Sequence, residues 1–383
     1  MNQDNNIILI NLDGFRKDKI DLCPTLKLLK ENSYYFPNMF TVAPYTFAAL
    51  PAVFSGMYPS RNGSNAYYNM FKFRSDEITT LAQLMKQGGY YSCCDIIDDS
   101  VVPRSGFDEY NIYDEENVNF LERHKEIIER LSKKEKFFLF LQNTETHKHL
   151  VRDIVQKYGP NKDDAEYYKS KNENHERYNS YLPLCDNYIS CILNALNEFG
   201  ISQNTILIFF ADHGTSCGEK IGEKFYGVFV YDYTINVFCI IHIPKQSSKI
   251  IHQQCSTIDL FPTISELANV PIQNESITIQ GKSLLSFINN SETDDREVFV
   301  ETGGLYGPWP SPEKHNVFCI RNEGKKLIYN DTPGTWEFYN LENDPNENNN
   351  IYNPNSIEIR IFKDKLVNHF KENNIKTNLT PKL

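Results

Sequence analysis

Residues 205–214, TILIFFADHG, decide the fold. The run of β-branched, Leu and Phe residues suits a strand buried on both faces, the kind found in parallel sheets covered by helices. It ends abruptly in Asp212, His213 and Gly214. Open parallel sheets bind ligands beyond the carboxyl ends of their strands, so a carboxylate and an imidazole at such an end mark a candidate site. Two other runs have the same form: NIILINLD (6–13) ends in Asp13, and FFLFLQNTETH (137–147) leads to His147.

Helical patterns fill the spaces between these strands. CPTLKLLKENSYYF (23–36) starts a helix at Pro24, where the missing N–H costs little. ITTLAQLMKQGGY (78–90) has Thr79 or Thr80 near its cap and stops at Gly88-Gly89. NFLERHKEIIERLSKKEK (119–136) and LPLCDNYISCILNALNEFG (182–200) are amphipathic, YSCCDII (91–97) and TINVFCIIHIP (234–244) read as strands, and TIDLFPTISELANV (257–270) as a helix. This alternation predicts an α/β domain built on a doubly wound sheet, spanning 1–292. After about residue 290, REVFVETGG, HNVFCIRNEGKKLIYN and TWEFYNLENDP alternate in strand fashion between Gly, Pro and Asn turns, with a last helix near 356–372. They predict a small antiparallel C-terminal subdomain over 293–383. Segment 150–181 lacks clean periodicity and is long for a connection, which suggests a partly helical lid over the pocket.

The composition narrows the function. The chain has 383 residues, 40% hydrophobic and 13% aromatic, with a formal charge of −11. With no basic run, the electrostatic footprint of a nucleic-acid binder is missing, and an anionic substrate needs a metal or a few local cations. No stretch approaches the roughly 18 to 20 apolar residues that span a bilayer. Nine cysteines, an odd number that includes the adjacent Cys93 and Cys94, argue for reduced thiols and a cytoplasmic protein. The sequence does not indicate the oligomeric state.

Asp13, Asp212 and His213, at separate strand ends on one edge, could share a divalent metal. Taken singly each is equally a turn residue; together they are harder to read that way. In APYTFAALPAVFSGMYPSRNG (43–63), Thr46 stands where a helix begins. Its hydroxyl there is either a plain N-cap or a nucleophile assisted by the helix dipole and a metal. Tyr306 and Trp309, in GGLYGPWPSPEKH, could stack on a sugar or alkyl group at the rim or simply stabilise a loop.

In order along the chain, NIILINLDGFRKD, the hydroxyl residue ten positions before the Gly of FSGMYPSRNG, TETH, TILIFFADHG, TIDLFPTISELA and WEFYNLENDPNENNN resemble the sulfatase-like branch of the alkaline phosphatase superfamily. The resemblance covers nearly the whole chain. It implies that Asp13, Asp212 and His213 are metal ligands and that Thr46 is a nucleophile touching the same metal. It also implies that His147 binds the ester or protonates the leaving group. Arg16 lies in the family's first motif. Tyr226-Gly227 stands where many members have His-Gly, with Lys224 nearby, so Arg16, Lys224 and Tyr226 are candidate substrate contacts.

The departures from the family pattern carry information. Family sulfatases place at position 46 a Cys or Ser that is oxidised to formylglycine, followed by Pro and Arg where this chain has Ala48 and Leu50. Gly14 replaces their second N-terminal Asp. Asp186 is followed by Ser190, where two-zinc members have a His. The remaining set is similar to the phosphoglycerol and phosphoethanolamine transferases. The expectation is one divalent ion, Mn²⁺, Mg²⁺ or Ca²⁺ with Zn²⁺ admitted, and a hydrolase or transferase acting on phosphate esters through Thr46. The alternatives are a sulfuric ester hydrolase and a catalytically silent binding protein. The expected substrate is a small-molecule or glycan-linked anionic ester.

Overall fold

The computed structural model describes residues 5–65, 72–158, 165–272, 279–305 and 315–380. Every residue of strands β1 (Asn6–Leu12), β5 (Phe137–Asn143) and β6 (Thr205–Phe210) is buried, as continuous apolar runs require. With β2 (Tyr34–Phe40), β3 (Tyr91–Ile96), β4 (Glu109–Ile112), β7 (Asn236–His242), β8 (Lys249–Ile250) and β9 (Cys255–Ser256) they form a nine-stranded sheet in the order β4-β3-β5-β1-β6-β7-β2-β8, β9 pairing with β2. The strands β4, β3, β5, β1 and β6 are mutually parallel. The sheet is nonetheless mixed: β7 runs antiparallel to both β6 and β2. A strand buried on both faces reads the same in either direction, so its sequence does not reveal the reversal.

Two helix groups cover the sheet. Helices Pro24–Glu31, Phe120–Leu131 and Glu145–Tyr158 pack against the long helix Lys171–Glu198, and Thr46–Ser55, Leu81–Gln87 and Leu260–Leu267 pack against one another. Local signals set their starts. Pro24 opens its helix, and Thr80 closes a capping box with Gln83. Asn119 accepts from the N–H groups of Leu121 and Glu122. Asp186, considered above for a second metal, instead accepts from Thr25 N (2.8 Å), Thr25 Oγ1 (2.9 Å) and Leu26 N (3.2 Å), capping the helix at Pro24 from another element.

The region read as a lid is helical where it is described. Glu145–Tyr158 is followed by Ala165–Lys169, and the helix expected from 182 already begins at Lys171 and passes through Pro183. Tyr167, Asn174 and Tyr178 of this region are buried. Asn174 donates to the carbonyls of Tyr167 (3.0 Å) and Cys217 (3.2 Å), so the segment buttresses the loop after β6.

The C-terminal sheet contains β10 (Val298–Leu305), β11 (His315–Asn322), β12 (Lys325–Asn330) and β13 (Thr335–Asn340), antiparallel in sequence order. Alternation along β11 sets its two faces. Val317 and Cys319 join Phe40, Val230 and Ile235 of the large domain, whereas Phe318 and Ile320 join Phe362, Leu366 and Phe370 of the last helix, Ile357–Glu372. Tyr306 and Trp309 lie outside the described residues. All nine cysteines are free thiols, and no described helix is long and apolar enough to cross a membrane.

Candidate active site

The ends of β1, β5 and β6 meet at one point. Asp13 directly follows β1, its N–H donating to the carbonyl of Asn143 on β5 (3.0 Å), and the Asp212 N–H donates to Asn11 Oδ1 (3.1 Å). Thr46 is the first residue of its helix. The residue in the cap position is Tyr45, which makes no side-chain cap bond. The Thr46 hydroxyl therefore does not cap. It lies 3.1 Å from His213 Nε2 and 3.3 Å from Asp13 Oδ2. Pro51 lies inside this helix, which persists to Ser55 and stops at Gly56 in the left-handed region.

These contacts form a cation site. His213 Nδ1 faces the Gly214 carbonyl at 2.8 Å; a carbonyl only accepts, so the proton belongs on Nδ1 and Nε2 keeps its lone pair. That lone pair faces Asp13 Oδ1 and Asp212 Oδ2, each at 3.7 Å. Both carboxylate oxygens are buried without a hydrogen-bond partner. Ligand atoms of Asp13, Asp212 and His213 all lie within 4.8 Å of one another. Burial raises the Asp13 carboxyl, and burial together with Asp13 pushes Asp212 up to about 6. Electron-rich atoms converging with no cation among them are costly in a buried site, and a divalent ion relieves that cost. The residues fit a metal.

Glycines shape the pocket at two positions. Gly14, at φ +64°, leaves no room for a side chain: a Cβ would come 2.9 Å from Thr215 Oγ1 and 3.4 Å from His147. The space of the second acidic ligand is thus filled by neighbours. At Gly214 a Cβ would meet the Tyr233 carbonyl at 2.2 Å, which accounts for the glycine after Asp212-His213.

The other candidates divide. His147 Nε2 meets Tyr226 Oη at 2.8 Å, and the Tyr226 ring lies over His213 with centroids 4.3 Å apart, so these two side chains join the cluster. Burial, with His213 adding to it, pushes His147 down to about 4. Lys224 lies two residues before Tyr226, its carbonyl accepting from the Tyr167 hydroxyl. Arg16 does not join. Its Nη1 donates to the Thr215 carbonyl (2.7 Å) and Glu219 (2.7 Å), and its Nε donates to Asp18 (2.9 Å), which commits the guanidinium to the loop scaffold.

Residues not singled out from the sequence also hold the site. Gln142 Nε2 donates to Asp13 Oδ2 at 2.8 Å, and Thr215 Oγ1 to the Gly14 carbonyl at 2.8 Å. The signal for Gln142 was present: a fully buried amide at the end of an otherwise apolar strand needs a polar partner.

An α/β domain with these ligands at its strand ends is of the alkaline-phosphatase-like class, whose members act on anionic esters. The chain belongs to the sulfatase family, whose sequence profile matches residues 5–270. The profile described as "N-sulphoglucosamine sulphohydrolase, C-terminal" matches residues 222–375. An ulvan-active sulfatase of Formosa agariphila is 24% identical over 87% of this chain and 74% of its own length. An N-acetylglucosamine-6-O-sulfatase of Bacteroides thetaiotaomicron is 30% identical over 44% of this chain but only 30% of its own length. Among solved structures, a 2-O GAG sulfatase superposes with TM-score 0.80 at 17% identity, covering 99% of this chain and 96% of its own. A phosphonate monoester hydrolase of Agrobacterium radiobacter superposes with TM-score 0.78 at 15% identity, covering 96% of each chain. These relatives are hydrolases, and members of the sulfatase family use a divalent metal ion.

Proposed function

We propose that the protein hydrolyses sulfate esters carried by a sugar, with Asp13, Asp212 and His213 holding one divalent ion and Thr46 as the attacking group. The carrying observation is the Thr46 hydroxyl, 3.1 Å from His213 Nε2 and 3.3 Å from Asp13 Oδ2. When bound, the ion supplies positive charge that neutralises the ester oxygens and lowers the pKa of a neighbouring hydroxyl. The first turn of the ten-residue helix at Thr46 presents backbone N–H groups toward an anion at the same place.

The chain's own residues account for the rest. Thr46 Oγ gives its proton to Asp13 Oδ2, 3.3 Å away, and bonds to sulfur as the bond from sulfur to the sugar oxygen breaks. The departing oxygen takes its proton from the His147–Tyr226 pair. At neutral pH a group titrating at about 4 is uncharged, and an anionic ester beside it favours the protonated form. Water then attacks sulfur and returns a proton to the His147–Tyr226 pair, while the bond from sulfur to Thr46 Oγ breaks and Thr46 takes back its proton from Asp13, releasing sulfate. The names of the relatives support the sulfate reading.

A second reading, hydrolysis or transfer of phosphate or phosphonate esters, is favoured by Thr46 itself. An unoxidised alcohol must release its group by attack at the central atom, which enzymes manage readily for phosphorus. Parallel turnover of matched aryl sulfates, phosphates and phosphonates by metal-loaded protein tests both. The sulfate reading expects sulfate turnover at least about tenfold above the others, about 1.4 kcal/mol in barrier. The opposite ranking replaces it with the phosphorus reading, and no turnover of any ester overturns both.

A further inference from the structure

A second group of ligand-type side chains lies behind the loop that carries His213, and the mechanism above does not use it. His175 on the helix Lys171–Glu198, with Cys217 and Glu219 on the loop after β6, places three potential ligand atoms within 4.8 Å of one another. We propose that these three residues form a separate zinc-type site that fastens the loop to the helix. The proposal does not rest on the sulfate-ester reading.

Geometry and ligand chemistry carry it. His175 Nε2 lies 3.2 Å from Glu219 Oε1, close to the roughly 3.3 Å between neighbouring nitrogen and oxygen ligands of a tetrahedral ion with bonds of about 2.0 Å. The Cys217 side chain is 0% exposed, and among the described residues no hydrogen bond takes up its Sγ. A thiol, an imidazole and a carboxylate together suit zinc better than calcium or magnesium, which take oxygen ligands.

Charge also favours a cation. Asp18 and Glu219 flank Arg16 at 2.9 and 2.7 Å and Lys19 lies 3.6 Å from Asp18, so these four groups are neutral together and a Cys217 thiolate adds one negative charge for a cation to meet. Arg16 Nη1 would remain a hydrogen-bond donor to the ligating carboxylate, the usual partner arrangement behind a metal ligand. Burial pushes the free Cys217 thiol up to about 12, so the incoming ion displaces the Sγ proton to solvent as the metal–sulfur bond forms. A groove lined by Arg16, Lys17, Lys171, His175 and Glu219 gives access from outside.

The site would stiffen a wall of the active centre. Tyr178 lies less than one helical turn beyond His175; its Oη accepts from Arg16 N at 2.8 Å and donates to the Gly14 carbonyl at 3.2 Å. Fixing His175 to the loop therefore fixes the backbone beside Asp13.

Cobalt(II) titration of metal-free protein tests the proposal, because a thiolate ligand gives a near-ultraviolet charge-transfer band that carboxylate and imidazole ligands do not. The expected results are a band that zinc competes away, that Cys217→Ser abolishes, and that Asp212→Asn retains. His175→Gln, at a part-exposed position that leaves the core intact, should weaken cobalt binding at this band at least about tenfold. No band in the wild-type protein, a band that survives Cys217→Ser, or unchanged affinity in His175→Gln would overturn the site, whatever the ester specificity proves to be.

Discussion

The acidic cluster at the ends of β1 and β6 and the one beneath the small sheet use the same residue types to opposite ends. At the first, Asp13 Oδ1 and Asp212 Oδ2 are buried with no hydrogen-bond partner. At the second, Lys326, itself fully buried, donates to Glu347 at 2.6 Å and to the Val230 carbonyl at 3.0 Å, and its charge lies 2.5 Å from Asp232 Oδ1, which makes no hydrogen bond but has this cation against it. Burial would raise both carboxyls; at Asp232 Lys326 and Arg321 more than offset it and hold the group below the usual range, whereas at Glu347 burial outweighs Lys326 and raises it. Asp212 has no such cation, and burial pushes it up to about 6. One cluster carries its own counter-charge and ties the small sheet to the segment before β7. The other leaves its charge to be met by an ion. Buried carboxylates are thus informative through their partners, not through their burial.

The largest effect is expected at the hydroxyl above the unpaired cluster. If that cluster serves chemistry, Thr46→Ala should lower turnover at least about ten-thousandfold, about 5.4 kcal/mol in barrier, and Thr46→Ser should keep part of it. The thermal midpoint and metal content should stay near wild type, because Thr46 packs at the pocket and anchors no core. Steady-state kinetics beside a melting curve checks both halves; full activity in Thr46→Ala would remove it as the attacking group.

At the self-neutralised cluster the effect should fall on stability instead. Lys326→Met removes the buried cation and leaves Asp232 and Glu347 facing each other, a change expected to cost about 3–5 kcal/mol. Urea unfolding should show this with little change in kcat for the protein that remains folded. A variant as stable as wild type would mean that the cluster is not held by Lys326.

A third measurement compares the clusters through pH. In metal-free protein the folded-state pKa of Asp212 lies above its unfolded value, so the native state binds the extra proton. The group's favourable contribution is present at low pH and lost as pH rises through about 6. Its ionisation by pH 7 then costs up to about 3 kcal/mol. Asp212→Asn should therefore be more stable than wild type at pH 7 without metal, with the difference shrinking toward pH 4. A saturating divalent ion should reverse the order at pH 7. Equal stability of the two proteins across this range would show that Asp212 is already compensated.

Much of this was legible in the sequence because it depends on local pattern. Continuous apolar runs located β1, β5 and β6, and the residues that end them are the ones that meet. Alternation in β11 located the small sheet. What stayed hidden depends on residues far apart in the chain. Arg16 looked like a substrate contact beside Asp13; Asp18, two positions on, takes one edge of its guanidinium, but Glu219, which takes Nη1, is 203 positions away, so the local sequence did not show the group to be fully committed. The early start of the helix at Lys171 was obscured because the buried Asn174 spends its amide on the carbonyls of Tyr167 and Cys217, and a polar residue at an inward position breaks the expected stripe. Asp186 looked like an incomplete metal ligand and is a cap for a helix more than 150 residues earlier.

The smallest effect should come from Gln142, which decides how the unpaired cluster stays unpaired. Its Nε2 donates to Asp13 Oδ2 at 2.8 Å, and its Oε1 accepts from Ile97 N at 3.2 Å, so the amide is fixed at both ends. Occupying Oδ2 orients the Asp13 carboxylate so that Oδ1 faces His213 Nε2. Gln142→Met keeps the volume and removes that orientation. Metal affinity should then weaken about tenfold, about 1.4 kcal/mol, as expected for a partner that orients a ligand without touching the ion. Turnover at saturating metal should change less than about threefold, since such a partner acts on ligand placement and not on the ester. A titration giving unchanged affinity would mean that Asp13 is held by its backbone alone. A loss of turnover that added metal cannot restore would instead place Gln142 in the chemical step, and the unpaired cluster would then be larger than Asp13, Asp212 and His213.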